Sequence, residues 1–252
     1  MSLTWIIKDG MYDADSERLT EACKSQGSTV VKLDYSMMAL YKVPTTEKVM
    51  FYGPIPLATE MLSFGTWKPC VVRSDNFDYE VWSKKWDHCL NQGAKILTFG
   101  ELQESFPPGK HFVRPCLDSK AFTGKVFDAA EFRELAFAVS MIAPEQLAIR
   151  VAISEPKPIS EECRLFVVDG KVSTGSFYQR NGKRNIAAAP QEVIEFAERA
   201  IQTWTPAEIF TLDIGRSGDQ LYIIETGCFN SAGLYGSDLN KLVADVNRYY
   251  ED

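Results

Sequence analysis

The chain has 252 residues, of which 45% are hydrophobic and 24% charged, with a formal net charge of −7. That is enough apolar material for a real core and for one large or two to three small domains. The acidic balance speaks against a nucleic-acid surface, although a local basic groove stays compatible with it.

Cysteines stand at 23, 70, 89, 116, 163 and 228, with no C-x-x-C pair, and His88 and His111 are the only histidines. A structural zinc site is therefore disfavoured, and reduced, buried thiols in a cytoplasmic protein are expected. No stretch of about 18 apolar residues and no signal-like N-terminus occurs, so a soluble protein without membrane attachment is expected.

Residues 4–8 form an apolar run that predicts a first strand. Residues 14–26 read as an amphipathic helix with Leu19, Ala22 and Cys23 on one face, ended by Gly27. Strands follow at 29–33 and 49–52, then a helix over 57–63. This alternation predicts a small parallel α/β unit over residues 1–70. Segment 74–110 is rich in aromatic and charged residues, carries a predicted helix over 79–91, and ends at Pro107-Pro108-Gly109. Its aromatics around 77–86 read as packing, with substrate contact the alternative.

A strand begins at His111, a polar loop runs over 117–127, and a helix over 129–142 shows Phe132, Leu135, Ala136 and Val139 on one face. Residues 148–153 read as a strand. Residues 164–168 and 171–177 flank Asp169-Gly170, a hairpin signal. Helices are expected over 190–203 and 238–249. The boundaries expected are 1–70, 71–150 and 151–252, with α+β character in the last two.

The richest stretch in chemistry runs from Ile209 to Asn230. Two apolar runs flank Ser217-Gly218-Asp219, which reads as a hairpin. A turn centred near Asp219 sets Asp213 opposite Glu225, and Ile214 opposite Ile224 on the other face. Two carboxylates about 5 Å apart at their Cβ atoms repel unless something neutralises them. A divalent cation would do so, with Asn230 adding a neutral oxygen ligand; the alternative is a pair of exposed acids at a hairpin end. Cations concentrate at Arg114, Lys120, Lys125, Arg164, Arg180, Lys183 and Arg184, either as a phosphate-binding cluster or as solvated surface charges. Lys120 lies in a small-residue loop whose N–H groups can wrap phosphate oxygens. With two histidines outside any Ser or Cys motif, a catalytic triad is disfavoured. No Walker-type or G-x-G-x-x-G loop exists.

Taken in order, five segments resemble the ATP-grasp superfamily, and most closely a phage and bacterial clade of it. They are Phe112 to Gly124, Ser154 to Ile159, Glu162 to Val172, Asp213-Ile214-Gly215, and Ile224 to Tyr235. The resemblance covers about residues 75–250. It implies ATP held between two α+β subdomains after an α/β N-terminal domain, and an ATP-dependent carboxylate–amine (or carboxylate–thiol) ligase working through an acyl phosphate. It implies Mg²⁺ on Asp213, Glu225 and Asn230, with Arg114 and Lys120 as nucleotide-binding cations. It further implies an adenine hinge at Ala152-Ile153-Ser154-Glu155 that offers backbone groups. Arg164 would be the residue stabilising the transferred phosphoryl group, with Glu162 orienting it, and Arg184, on a loop, would reach phosphate or acceptor. Many members carry Glu-x-Asn where this chain has Glu225-Thr226-Gly227, which weakens Asn230 as a ligand and keeps a non-catalytic nucleotide-binding protein open. A small-molecule kinase is the other alternative. Partners implied are small-molecule or peptide carboxylates and amines, and a homodimer.

Overall fold

The computed structural model describes residues 3–8, 13–33, 48–57, 75–117 and 122–251. Most of the helix expected at 57–63 lies outside them, as do Trp67, Cys70 and Lys120.

Strand β1 (Thr4–Lys8) is buried along its whole length, because parallel strands lie on both sides of it. It pairs with β2 (Thr29–Leu33) and β3 (Val49–Tyr52), giving the order β2-β1-β3. Helix α1 (Asp13–Ser25) makes the crossover and buries Leu19, Ala22 and Cys23, the face expected from periodicity.

The predicted helix over 79–91 shortens to one turn, α2 (Tyr79–Trp82), capped by the Asp78 carboxylate. The backbone beyond it is spent elsewhere. His88 adopts a left-handed φ of 60°, Ile223 N–H donates to its carbonyl at 2.9 Å, and Leu90 N–H donates to Ile223 at 2.8 Å. These bonds to a distant strand replace the helical ladder. Phe77, Tyr79, Trp82 and Trp86 are buried, so this aromatic segment is packing.

A four-stranded antiparallel sheet follows in the order β4-β7-β5-β6: β4 (Lys95–Thr98), β5 (His111–Pro115), β6 (Lys125–Phe127) and β7 (Arg150–Ser154). Strands β4 and β6 were not anticipated. Helices α3 (Phe99–Ser105) and α4 (Ala129–Ile142) each open on a capping box, Thr98 with Glu101 and Asp128 with Glu131. They cover the sheet with Phe99, Leu102, Phe132 and Ala136. Strand β7 of this sheet runs on to Ser154, past the expected 150/151 boundary.

The last sheet is antiparallel, ordered β10-β9-β8-β11-β12: β8 (Glu161–Val168), β9 (Lys171–Arg180), β10 (Lys183–Ala188), β11 (Ile209–Ser217) and β12 (Gln220–Cys228). The β8–β9 turn has both Asp169 and Gly170 at positive φ, 50° and 68°, matching the right-handed twist of the strands. On β8, Cys163, Leu165 and Val167 face a core completed by Trp82, Trp86 and helix α5 (Gln191–Thr203). Phe166 and Val168 face the opposite way. They join Trp5, Ile7, Leu19 and Phe229 and, from helix α6 (Leu239–Glu251), Leu242, Val243 and Val246. The N-terminal sheet therefore shares a core with the C-terminal unit, and Trp5 Nε1 donates to Asn247 Oδ1 at 2.9 Å across it. Cys23, Cys89, Cys116, Cys163 and Cys228 are buried. No helix among the described residues is long and apolar enough to cross a membrane.

Candidate active site

The β11–β12 hairpin turns at Gly218-Asp219, with Ser217 opposite Gln220. An uninterrupted ladder from that turn would set Asp213 against Ile224. A bulge intervenes: Asp213 pairs with Glu225, Ile214 pairs with Ile223, and Ile224 is the extra residue. The expected carboxylate pair is present, and the expected Ile214–Ile224 pair is corrected to Ile214–Ile223. Gly215 makes room for the displaced side chain, since a Cβ there would stand 2.4 Å from Ile224 Cδ1.

Each carboxylate faces a guanidinium. Arg164, directly across the ladder on β8, meets Asp213 at two points, Nε to Oδ1 and Nη2 to Oδ2, both 2.8 Å. Arg114, from β5 of the other sheet, donates to Glu225 Oε1 at 2.5 Å and to the Ile224 carbonyl at 3.1 Å. Arg114 thus spans the two sheets. Asp213 is 4% exposed. Burial pushes its carboxyl above the usual carboxylate range, Arg164 opposes that, and Glu225 adds a like-charge push. Burial works against the Arg164 cation, but the Asp213 carboxylate outweighs it and the guanidinium is held more firmly protonated than usual.

Two tyrosines frame Arg164. Tyr178 and Tyr235 stack at 5.0 Å between ring centroids and 20° between planes, and the guanidinium lies 5.8 Å and 5.4 Å from their rings. Tyr178 sits at a bulge in β9, where Glu162 pairs with Gln179 and Cys163 with Phe177. Its hydroxyl donates to Glu162 Oε2 at 2.8 Å, and Gln179 Nε2 bonds Glu162 Oε1. Burial raises Glu162 and raises Tyr178 more strongly. Glu162 makes no hydrogen bond or ion pair with Arg164; the Tyr178 hydroxyl links it to the site, lying 2.8 Å from Glu162 and 3.5 Å from Asp213. Tyr235 holds a left-handed φ of 47°. Its neighbours are fastened to α1: Leu234 N–H donates to Asp15 Oδ2 at 2.9 Å, and Arg18 donates to the Tyr235 and Ser237 carbonyls.

Ala152 and Ile153 are buried between β4 and β5, facing Ile96 and Lys95 on one side and Arg114 and Val113 on the other. Their backbone groups belong to the sheet, which corrects their expected role in offering backbone to a ligand. Ser154 pairs with Phe112 at the sheet margin and donates Oγ to Asn91 at 3.1 Å. The exposed stretch begins at Glu155. Asn230 is fully buried and donates Nδ2 to the Phe51 carbonyl at 2.6 Å, tying β3 to the core. Arg180, Lys183 and Arg184 lie on strands β9 and β10 rather than on a loop, and Arg184 lines a cleft with Arg164 and Tyr235. The described residues do not include Lys120.

The carboxylate oxygens of Asp213 and Glu225 suit a hard cation such as Mg²⁺, and their cross-strand placement brings them to one face. Elsewhere, the trio Asp78, Glu80 and Cys116 brings ligand atoms within 4.8 Å of one another. There Asp78 caps α2 and Glu80 pairs with Arg150 at 2.6 Å, so both acids have structural duties. Sequence reasoning missed Tyr178, Gln179, Asp15 and Arg18. Their relation to the site runs through bulges and long-range contacts that leave no local pattern.

Comparison with known proteins agrees with this architecture. Residues 44–246 match a family model described as an ATP-grasp domain, the third family of its clade. No curated protein matches. Among solved structures, the D-cycloserine synthetase DcsG superposes with a TM-score of 0.63 at 13% identity, covering 98% of this chain and 99% of that one. The ATP-grasp ligase PsnB complexed with a minimal precursor gives 0.59 at 12%, covering 99% of each chain. D-alanine–D-alanine ligase from Bacillus anthracis gives 0.58 at 14%, covering 99% of this chain and 94% of that one. With most of its length, residues 44–246, inside the family match and its fold shared with these ligases, the chain is a member of the ATP-grasp superfamily.

Proposed function

We propose that the protein is an ATP- and Mg²⁺-dependent ligase that joins a carboxylate to an amine or thiol through an acyl phosphate. The observation that carries this reading is the pairing of Asp213 with Glu225, each met by its own arginine, where the two antiparallel sheets approach. Asp213 and Glu225 would hold Mg²⁺, with Asn230 a third candidate; the ion would neutralise phosphate charge. Arg114 is the cation for the nucleotide phosphates, together with Lys120, and Arg164 is the cation for the transferred phosphoryl group. Glu155 and the exposed stretch after it meet the adenine. The acyl carboxylate attacks the γ-phosphorus, the bond to the β-phosphate oxygen breaks, and ADP leaves. The amine then attacks the acyl carbon, expels inorganic phosphate and loses a proton. No protein nucleophile is needed.

Small-molecule or peptide carboxylates and amines are the substrate classes, and the cytoplasm the compartment, on this reading. Calorimetric titration of ATP in the presence of Mg²⁺, with the wild type and with Asp213→Ala and Glu225→Ala, tests it. Binding by the wild type that weakens at least about a hundredfold in each variant supports it; no binding by the wild type overturns it. Gly227, at the position where many members carry Asn, favours a second reading as a nucleotide-binding protein without turnover. ATP binding without ADP formation across carboxylate and amine panels would select that one.

A further inference from the structure

The cleft that Arg164 and Tyr235 line has a volume of about 540 Å³, within the range of small-ligand sites. Two further arginines reach it, Arg18 from α1 and Arg184 from β10. Their circumstances differ. Arg164 is held at two points by Asp213. Arg18 is held by Asp15 at 3.1 Å and by the Tyr235 and Ser237 carbonyls. Among the described residues, Arg184 makes no side-chain hydrogen bond and no ion pair. Its ladder partner on β9 is Gln179, so no acid stands opposite it across the strands.

The strand that carries Arg184 is placed for contact with a ligand. β10 is the outer strand of its sheet and is exposed at every residue. Its ladder with β9 slips between Arg184 and Ala187, and bulges of this kind recur beside binding sites, where they re-aim side chains. Ile186, two residues along, lines the same cleft and is 43% exposed. Ile186 is also backed by the Gly236 backbone: a Cβ at Gly236 would stand 2.6 Å from its Cγ2.

The geometry points to a dianionic acyl substrate, its reacting carboxylate beside Arg164, a short apolar stem against Ile186, and its remote anionic group on Arg184. This makes Arg184 a specificity-determining residue. An uncompensated guanidinium inside a cleft of a chain with net charge −7 attracts one particular anion rather than anions at large. The inference rests on the ligase reading above and adds the class of its acyl substrate.

The test uses the full chain, saturated with ADP and Mg²⁺ so that the nucleotide side is filled, with nucleotide binding measured first in every variant. Glutarate and butyrate are then titrated separately and followed by ligand-observed NMR. The wild type should bind glutarate about tenfold more tightly than butyrate. In Arg184→Gln the preference should fall below about twofold, and Arg184→Lys should restore part of it. Equal binding of the two acids by the wild type, binding of neither, or a preference kept in Arg184→Gln overturns the proposal. Failure of the wild type to bind ADP with Mg²⁺ instead overturns the ligase reading beneath it, and is seen before either acid is added.

Discussion

Replacing Arg164 by Met removes the cation that faces a carboxylate only 4% exposed. The next guanidinium, Arg114, is already committed to Glu225 and the Ile224 carbonyl, so Asp213 is left without a cation of its own. Breaking one side of a buried ion pair costs about 3–5 kcal/mol. The whole fold is held by about 5–15 kcal/mol, so the loss is large. At about 2–4 °C per kcal/mol for a chain of this size, the midpoint should fall by about 6–20 °C. The dependence on pH supplies the diagnostic. Burial already raises Asp213 and Arg164 opposes that rise; without Arg164 the folded-state pKa climbs further. A carboxyl whose folded pKa exceeds its unfolded value of about 4 favours folding fully below that value, and loses the advantage as pH rises through the folded pKa. The gap between wild type and Arg164→Met should therefore be small near pH 4 and widen toward neutrality. Glu162, raised by burial in both proteins, largely cancels in the difference. Urea unfolding at a series of pH values measures the gap. In Arg164→Met with Asp213→Leu the buried charge is gone, and most of the loss should return. A loss under about 1 kcal/mol at pH 7, or a gap that does not change with pH, would refute the reasoning.

Other outcomes follow from the same geometry. Gly175→Ala would put a Cβ 2.2 Å from Leu165 Cδ2 and 2.9 Å from the Arg164 carbonyl; it should cost about 1–3 kcal/mol in urea unfolding and weaken ATP binding by displacing β8. Tyr178→Phe removes the hydroxyl that lowers Glu162, so carboxyl NMR should show Glu162 titrating at still higher pH. Trp86→Phe deletes an indole N–H that bonds the Ala200 and Trp204 carbonyls, each at 3.1 Å. Thermal unfolding should report a loss of about 1–3 kcal/mol with ATP affinity unchanged.

How much of this was legible follows from the range of each interaction. The parallel strands β1 to β3 with α1, helix α4 and the β8–β9 hairpin rest on local periodicity and turn residues, and appear where the pattern puts them. β10 went unread because Lys183 to Ala188 is exposed on every residue and shows no alternation. The 79–91 helix failed because Ile223, far along the chain on β12, takes the backbone of His88 and Leu90. Ala152 and Ile153 fell in a motif that resembles an adenine hinge, while the sheet that encloses them includes β4, a strand the sequence did not reveal. The arginines were legible as cations but not as partners: Arg114 and Glu225 are separated by 111 positions, and no periodicity links residues so far apart.

The β11–β12 pairing shows why a correct pair can follow from an incomplete ladder. A turn centred at Asp219 and a turn at Gly218-Asp219 followed by one extra residue both set Asp213 against Glu225. They differ in the fate of Ile224. In a regular ladder its carbonyl would have a fixed place; at the bulge the ladder is locally broken and the extra residue stays unpaired. Arg114 Nη1 takes that carbonyl, and its Nη2 is thereby held on Glu225. Gly215 belongs to the same device, because any larger residue would meet Ile224 at 2.4 Å and press on the bulge. Bulge, glycine and arginine act together to fix a guanidinium of one sheet against a carboxylate of the other. Each acid has a cation of its own, which offsets the like-charge push between the two. Arg164 draws the Asp213 carboxyl, which burial pushes upward, back toward its charged form, and charged oxygen is what a metal ion there would need.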